Sequence, residues 1–193
     1  YEILIEEFDI NKAICSTEID GLDLIPSNIQ LAGAEIELTN TRYREKTLRE
    51  KLNLIDGNYD FIIIDCPPSL GLLSLNALTA SHSVLIPIQC EYYSLEGVGQ
   101  LIDTVKLVKK NLNPKLDIEG VLLNMYDGRT NLSAQVVEEV KKYFKNKVYR
   151  TVIPRNVRLA EAPSFGQPIM LYDENSKGSE AYIKLSEEII KNN

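Results

Sequence analysis

The stretch YDFIIIDCPP, Tyr59–Pro68, decides the fold class of this chain. Phe61–Ile64 is continuously apolar rather than alternating, the pattern of a strand covered on both faces, as in parallel sheets. Working outward, the same kind of short apolar run recurs at LDLIP (Leu22–Pro26), SVLIPI (Ser83–Ile88), IEGVLLNM (Ile118–Met125) and VYRTVI (Val148–Ile153). Between these runs the apolar residues shift to helical spacing. Leu95, Val98, Leu101, Ile102, Val105 and Val108 share one face behind a Ser94 cap, and Leu132, Val136, Val140 and Phe144 share another behind an Asn131 cap. A last helix is predicted from about Ser179, burying Tyr182, Leu185 and Ile189. Strands that alternate with helices build βαβ units, so the prediction is an α/β fold: a mostly parallel sheet with helices on both faces. No repeat, linker or low-complexity stretch interrupts it, and residues 1–193 read as a single domain.

Composition narrows the class. Lys and Arg number 21 against 28 Asp and Glu, giving a net charge of −7, so bulk electrostatics oppose nucleic acid and anionic membranes. Any DNA contact must come from a local patch, and Lys141–Arg158 carries seven basic residues and no acid, leaving the rest of the chain twice as acidic as the whole. Helix-dipole pairing accounts for Lys141, Lys142 and Lys145 but not for Arg155 and Arg158. No apolar run approaches the roughly 20 residues of a membrane span. Cys15, Cys66 and Cys90 form no CxxC pair, which suits a reducing, cytoplasmic compartment and makes a weak zinc case. His82 has no second histidine to share a metal and reads as solvent-facing. The opening YEILIEEFDI lacks an initiator Met and the regions of a signal peptide, so the chain is expected to be part of a longer protein.

Ligands of open α/β sheets bind beyond the C-terminal strand ends. Those ends carry Asp65-Cys66, Gln89-Cys90-Glu91, Asn124-Met125-Tyr126-Asp127 and Pro154-Arg155-Asn156. A carboxylate closing an apolar strand can hold hydrated Mg²⁺ beside a nucleotide, cap a turn before two prolines, or accept a phosphoryl group. Spacing alone leaves these readings of Asp65 open. Tyr92 and Tyr93 read as packing residues before a base-stacking platform.

The blocks FIIIDCPPSLGLLSLNALTASHSVLIPIQCEYYSLEG (Phe61–Gly97), GVLLNMYDGRTNLSAQV (Gly120–Val136), VYRTVIPRNVRLAEAPSFGQPI (Val148–Ile169) and LDLIPSNIQLAGAEIEL (Leu22–Leu38) resemble the ParA/Soj-type partitioning ATPases, in the MinD/ParA group of deviant Walker-A P-loop ATPases. The resemblance implies a P-loop NTPase-like fold, ATP and Mg²⁺ as cofactors, and ATP-driven homodimerisation. It further implies non-specific DNA binding, and hydrolysis stimulated by a ParB-like centromere-binding protein on the nucleoid. It makes Asp65 the catalytic aspartate, holding Mg²⁺ through water, and places Glu91, Asn124, Pro154, Arg155 and Asn156 around the nucleotide. Arg129 and Arg158 are implied to contact DNA. The chain departs from the family in one respect: no glycine precedes a lysine, so the Gly-Lys phosphate cradle is not found. The expectation is therefore the C-terminal three quarters of such an ATPase, lacking the first βα unit and inactive alone. The alternatives are a non-catalytic binding module and a MinD-like membrane ATPase, against which the acids in SEAYIKLSEEIIKNN argue.

Overall fold

The computed structural model of the chain describes residues 1–57, 59–91 and 94–192. Tyr92, Tyr93 and the Ser94 side chain expected to cap a helix lie outside the described residues. The backbone resolves into two compact units: Tyr1–Ser83 with Asp103–Asp117, and Val84–Ile102 with Ile118–Asn193.

The first unit is mainly helical: α1 (Glu2–Ile5), a 3₁₀ turn Ile10–Ala13, α2 (Leu31–Leu38), α3 (Thr47–Leu52) and α4 (Leu72–Ala80). The strand expected at Leu22–Pro26 contracts to β2 (Asp23–Leu24), which pairs antiparallel with β1 (Cys15–Ser16). Gly21, at φ +78°, turns the chain, and the Thr17 hydroxyl donates to Leu22 O at 2.7 Å, so local bonds close a hairpin. The strand expected at Tyr59–Asp65 is not formed. Among the described residues the run joins no ladder, and Ile62 and Ile63 stand 53% and 90% exposed. A run of branched apolar residues becomes a strand only where neighbouring backbone supplies the hydrogen bonds.

Polar groups organise the packing of α3 against α4. Buried Asn76 accepts from Leu48 N at 3.1 Å and donates to Arg44 O and Leu72 O at 2.8 and 2.9 Å. Arg49 adds bonds to Thr79 O and Leu112 O. At the head of α4, Glu35 accepts from Leu73 N at 3.2 Å. A Cβ at Gly71 would lie 2.2 Å from that carboxylate, so a larger residue there would displace Glu35 from its place.

The second unit holds the sheet. Its strands β3 (Ser83–Gln89), β4 (Asp117–Tyr126) and β5 (Val148–Pro154) stand in that order, with β5 parallel to β4. Side chains of β4 alternate between two helical layers. Val121 and Leu123 join Ile86 and Ile88 under α5 (Ser94–Asn111) and α6 (Asn131–Phe144), through Ile102, Val136, Val140 and Phe144. Leu122 faces the other way, with Tyr149 and Ile153, onto Ala181 and Leu185 of α9 (Lys177–Asn192). The expected helices on both faces are present. Full burial of a residue such as Leu123 contributes about 2 kcal/mol.

Three helix details differ from expectation. Thr130, not Asn131, caps α6 by accepting from Ser133 N at 3.3 Å; Leu132 is then 40% exposed and Ser133 takes the buried place. α9 starts at Lys177, earlier than Ser179, because Ser176 Oγ accepts from Ser179 N. Its buried stripe is Gly178, Ala181 and Leu185, which leaves Tyr182 37% exposed. Short α7 (Val157–Glu161) and α8 (Ile169–Tyr172) precede it.

The register of β5 slips between Val121↔Val148 and Leu123↔Val152, and Glu188 fills the bulge. Its carboxylate accepts from Arg150 N at 2.8 Å and Thr151 N at 3.0 Å. Burial by itself would raise the Glu188 carboxyl, but these backbone bonds outweigh it and hold the group below its ordinary value. A carboxyl depressed in the fold stabilises above the unfolded range, and that contribution is lost as pH falls through the folded value. Glu188→Gln is therefore expected to lower the melting temperature at pH 7 and to bring it closer to the parent as pH falls below about 4. An equal loss at both pH values in thermal melts would rule the linkage out.

Candidate functional site

Within the second unit the C-terminal ends of β3, β4 and β5 are joined. Cys90 N donates to Asn124 O at 2.9 Å and Arg155 N to Tyr126 O at 3.0 Å, so each strand end is bonded to its neighbour's. The Arg155 guanidinium reaches Glu91 and forms an ion pair across the row. Met125 takes φ +53°, a left-handed conformation uncommon outside glycine, and its N–H donates to the Asn124 side-chain oxygen at 2.8 Å. That turn falls at an irregularity in the β4 register, and Tyr126 pairs with Pro154 beyond it. Asn156 accepts from Arg158 N at 2.8 Å and caps α7. Glu91, Asn124, Pro154, Arg155 and Asn156 are thereby gathered on one polar rim.

Asp65 belongs to the first unit and lies at the end of the unpaired run, exposed. Among the described residues, no three of His, Cys, Asp and Glu converge as metal ligands. His82 is exposed, and its carbonyl accepts from Asp117 N.

Arg129 and Arg158 both meet carboxylates. Asp127 accepts from Arg129 Nε and Nη2 at 2.9 and 2.7 Å, and from Arg129 N at 3.1 Å. The guanidinium, then the backbone N–H, hold the Asp127 carboxyl well below the usual range. Arg158 Nη1 donates to Glu161 at 3.0 Å, and its Nε lies 3.3 Å from Asp173; the Tyr172 hydroxyl donates to the same Glu161. Sequence reasoning singled out the arginines, placed Asp127 at a strand end without a role, and passed over Glu161 and Asp173. The spacings Asp127–Arg129 and Arg158–Glu161 were visible as an Asx-type turn and a one-turn helix pair. Asp173 was reachable only through the fold.

Ser133 knits the row to α6. Its hydroxyl donates to Cys90 O at 3.3 Å and lies 3.0 Å from Thr130 Oγ1. Against this buried network the Glu91–Arg155 pair is exposed, its side chains 48% and 58% accessible, and solvent screening leaves such pairs nearly worthless for stability. Glu91→Gln is accordingly expected to move the melting temperature by no more than about 2 °C in calorimetry. A larger drop would make the pair a structural clasp.

Comparison with known proteins agrees with this architecture. Residues 1–118 match the family described as AAA domain. The chain is 62% identical over 192 residues to the sporulation initiation inhibitor protein Soj of Bacillus subtilis, covering 100% of this chain and 76% of that protein. It is 54% identical to the chromosome partitioning protein ParA of Myxococcus xanthus, covering 99% of this chain and 68% of that one. Among solved structures, cobyrinic acid a,c-diamide synthase from Mycobacterium smegmatis, with bound ADP and magnesium, superposes with a TM-score of 0.80. It shares 38% identity, over 96% of this chain and 68% of its own. Among the described residues, no helix is long and apolar enough to cross a membrane.

Proposed function

Because the chain belongs to the ParA/Soj family of P-loop partitioning ATPases, we propose that it couples ATP binding and hydrolysis to the segregation of chromosomal or plasmid DNA. The observation that carries this reading is the identity with Soj and ParA along essentially the whole chain. In this reading ATP drives homodimerisation, the dimer binds the nucleoid without sequence preference, and a ParB-like protein stimulates hydrolysis. Residues 1–193 form part of one ATPase domain.

Roles follow for the rim. Glu91 is assigned to the nucleotide across the dimer interface, with Arg155 holding its carboxylate in place. Asn124 and the Pro154-Arg155-Asn156 turn are assigned to the base, where the strand-end bonds fix their backbone. Asp65 offers one exposed carboxylate, which fits Mg²⁺, an ion that keeps several waters and takes one or two carboxylates beside phosphate. When bound there, Mg²⁺ would neutralise charge on the nucleotide phosphates. None of the glycines in residues 1–193 precedes a lysine, so the cradle for those phosphates is assigned to sequence outside this stretch.

Two tests follow. Residues 1–193 by themselves are expected to hydrolyse no ATP, whereas the longer protein should turn over ATP and lose that activity on Asp65→Ala. Turnover by residues 1–193 that disappears with Asp65→Ala would overturn the assignment of the cradle. For DNA, Arg129→Glu and Arg158→Glu in the longer protein with ATP are expected to abolish retention while nucleotide binding persists. Lys109→Glu, outside the basic stretch, should do little. Equal losses in all three would make bulk charge the determinant, since each phosphate contact contributes about 1 to the salt slope.

A further inference from the structure

The two arginines assigned to DNA are already occupied. Asp127 takes the Nε and Nη2 edge of Arg129, the fork that would otherwise meet a phosphate with two parallel bonds. Glu161 and Asp173 take Nη1 and Nε of Arg158. The first cluster is therefore neutral and the second carries net negative charge, in a chain already at −7. While they keep these partners, Arg129 cannot offer its Nε–Nη2 edge, nor Arg158 its Nη1 and Nε, to an approaching anion.

We propose that Asp127, and Asp173 with Glu161, are built-in competitors of DNA phosphate, so that binding here proceeds by exchange of carboxylate for phosphate on each guanidinium. This rests on the reading of Arg129 and Arg158 as DNA contacts. Exchange is feasible because the guanidinium side chains are exposed, 87% for Arg129 and 50% for Arg158, and exposed ion pairs are weak. Competition persists because the carboxylates are anchored. The Asp127 side chain is only 19% exposed and also accepts the Arg129 backbone N–H, while Thr130 N and Oγ1 both donate to Asp127 O. An isolated phosphate gains little by such an exchange. Duplex DNA, with one charge per roughly 1.7 Å of axis, keeps replacement phosphates beside a cluster once it is bound. The surface is thus selective for densely charged polyanions over single anions.

The test uses the full-length protein with Mg-ATP and a mixed-sequence duplex, with affinity read by fluorescence anisotropy across a salt series. Asp127→Asn keeps an oxygen for the Arg129 backbone bond and removes the charge. It is expected to bind about two- to fivefold tighter, and the gain should vanish in an Arg129→Ala background. Asp173→Asn should act likewise through Arg158, independently of the Asp127 turn should that turn prove sensitive. Glu139→Gln removes the same charge from the second half of α6, where it pairs with Lys142, and should give no comparable gain. Unchanged or weaker binding by both Asn variants, with Arg129→Ala still lowering affinity, overturns the exchange and leaves the DNA surface standing. A gain that survives Arg129→Ala, or is matched by Glu139→Gln, makes it bulk charge and also overturns the exchange. Full affinity in both Arg129→Ala and Arg158→Ala removes the DNA surface itself, and the exchange with it.

Discussion

Everything in the sheet-bearing unit depends on the strict alternation of three residues on β4. Val121 and Leu123 point to one helical layer and Leu122 to the other, so this strand is the partition between two cores. A slip of one residue would exchange the layers and set side chains of the wrong volume into each core. With the register fixed, the strand ends fall level, and the rim from Glu91 to Asn156 is a by-product of core packing. Polar chemistry is placed where the backbone runs out of partners, and neighbouring ends bond to each other through Cys90, Asn124, Tyr126 and Arg155.

Much of this unit was legible in the sequence. The runs at Ser83–Ile88, Ile118–Met125 and Val148–Ile153 became strands to within a residue or so, because each carries its own burial pattern and finds a neighbouring strand in the sheet. The run at Tyr59–Asp65 was as apolar as any of them and remained without a ladder, since a strand is a property of pairs. Helix starts slipped where side-chain oxygens compete: Thr130 rather than Asn131, and Ser176 ahead of Ser179. Small residues misled in another way. Gly178 gives room to Leu159 of α7 and Ala181 packs against the sheet, so the buried stripe runs through them and Tyr182 stays half-exposed although its spacing from Leu185 suggested a shared face.

The candidate site was legible as residue types at strand ends, and less so as electrostatics. Arg129 and Arg158 stood out because cations in an acidic chain are conspicuous, whereas acids are common enough to pass unnoticed. Yet the carboxylates beside them govern how those cations meet an anion. Glu188 is a similar case, since nothing in SEEIIKNN signals that one acid completes a bulge on β5.

The left-handed backbone at Met125 filters sequence by shape. Valine and isoleucine suit the interior of β4 on grounds of volume and hydrophobicity, but a branched Cβ meets the backbone at φ +53°. Unbranched methionine, asparagine or glycine is tolerated there for reasons unrelated to water. Substitution at this position is therefore confined to a short alphabet that no hydropathy scale would group together, and the placement of Asn124 on the rim rests on a steric rule one residue away.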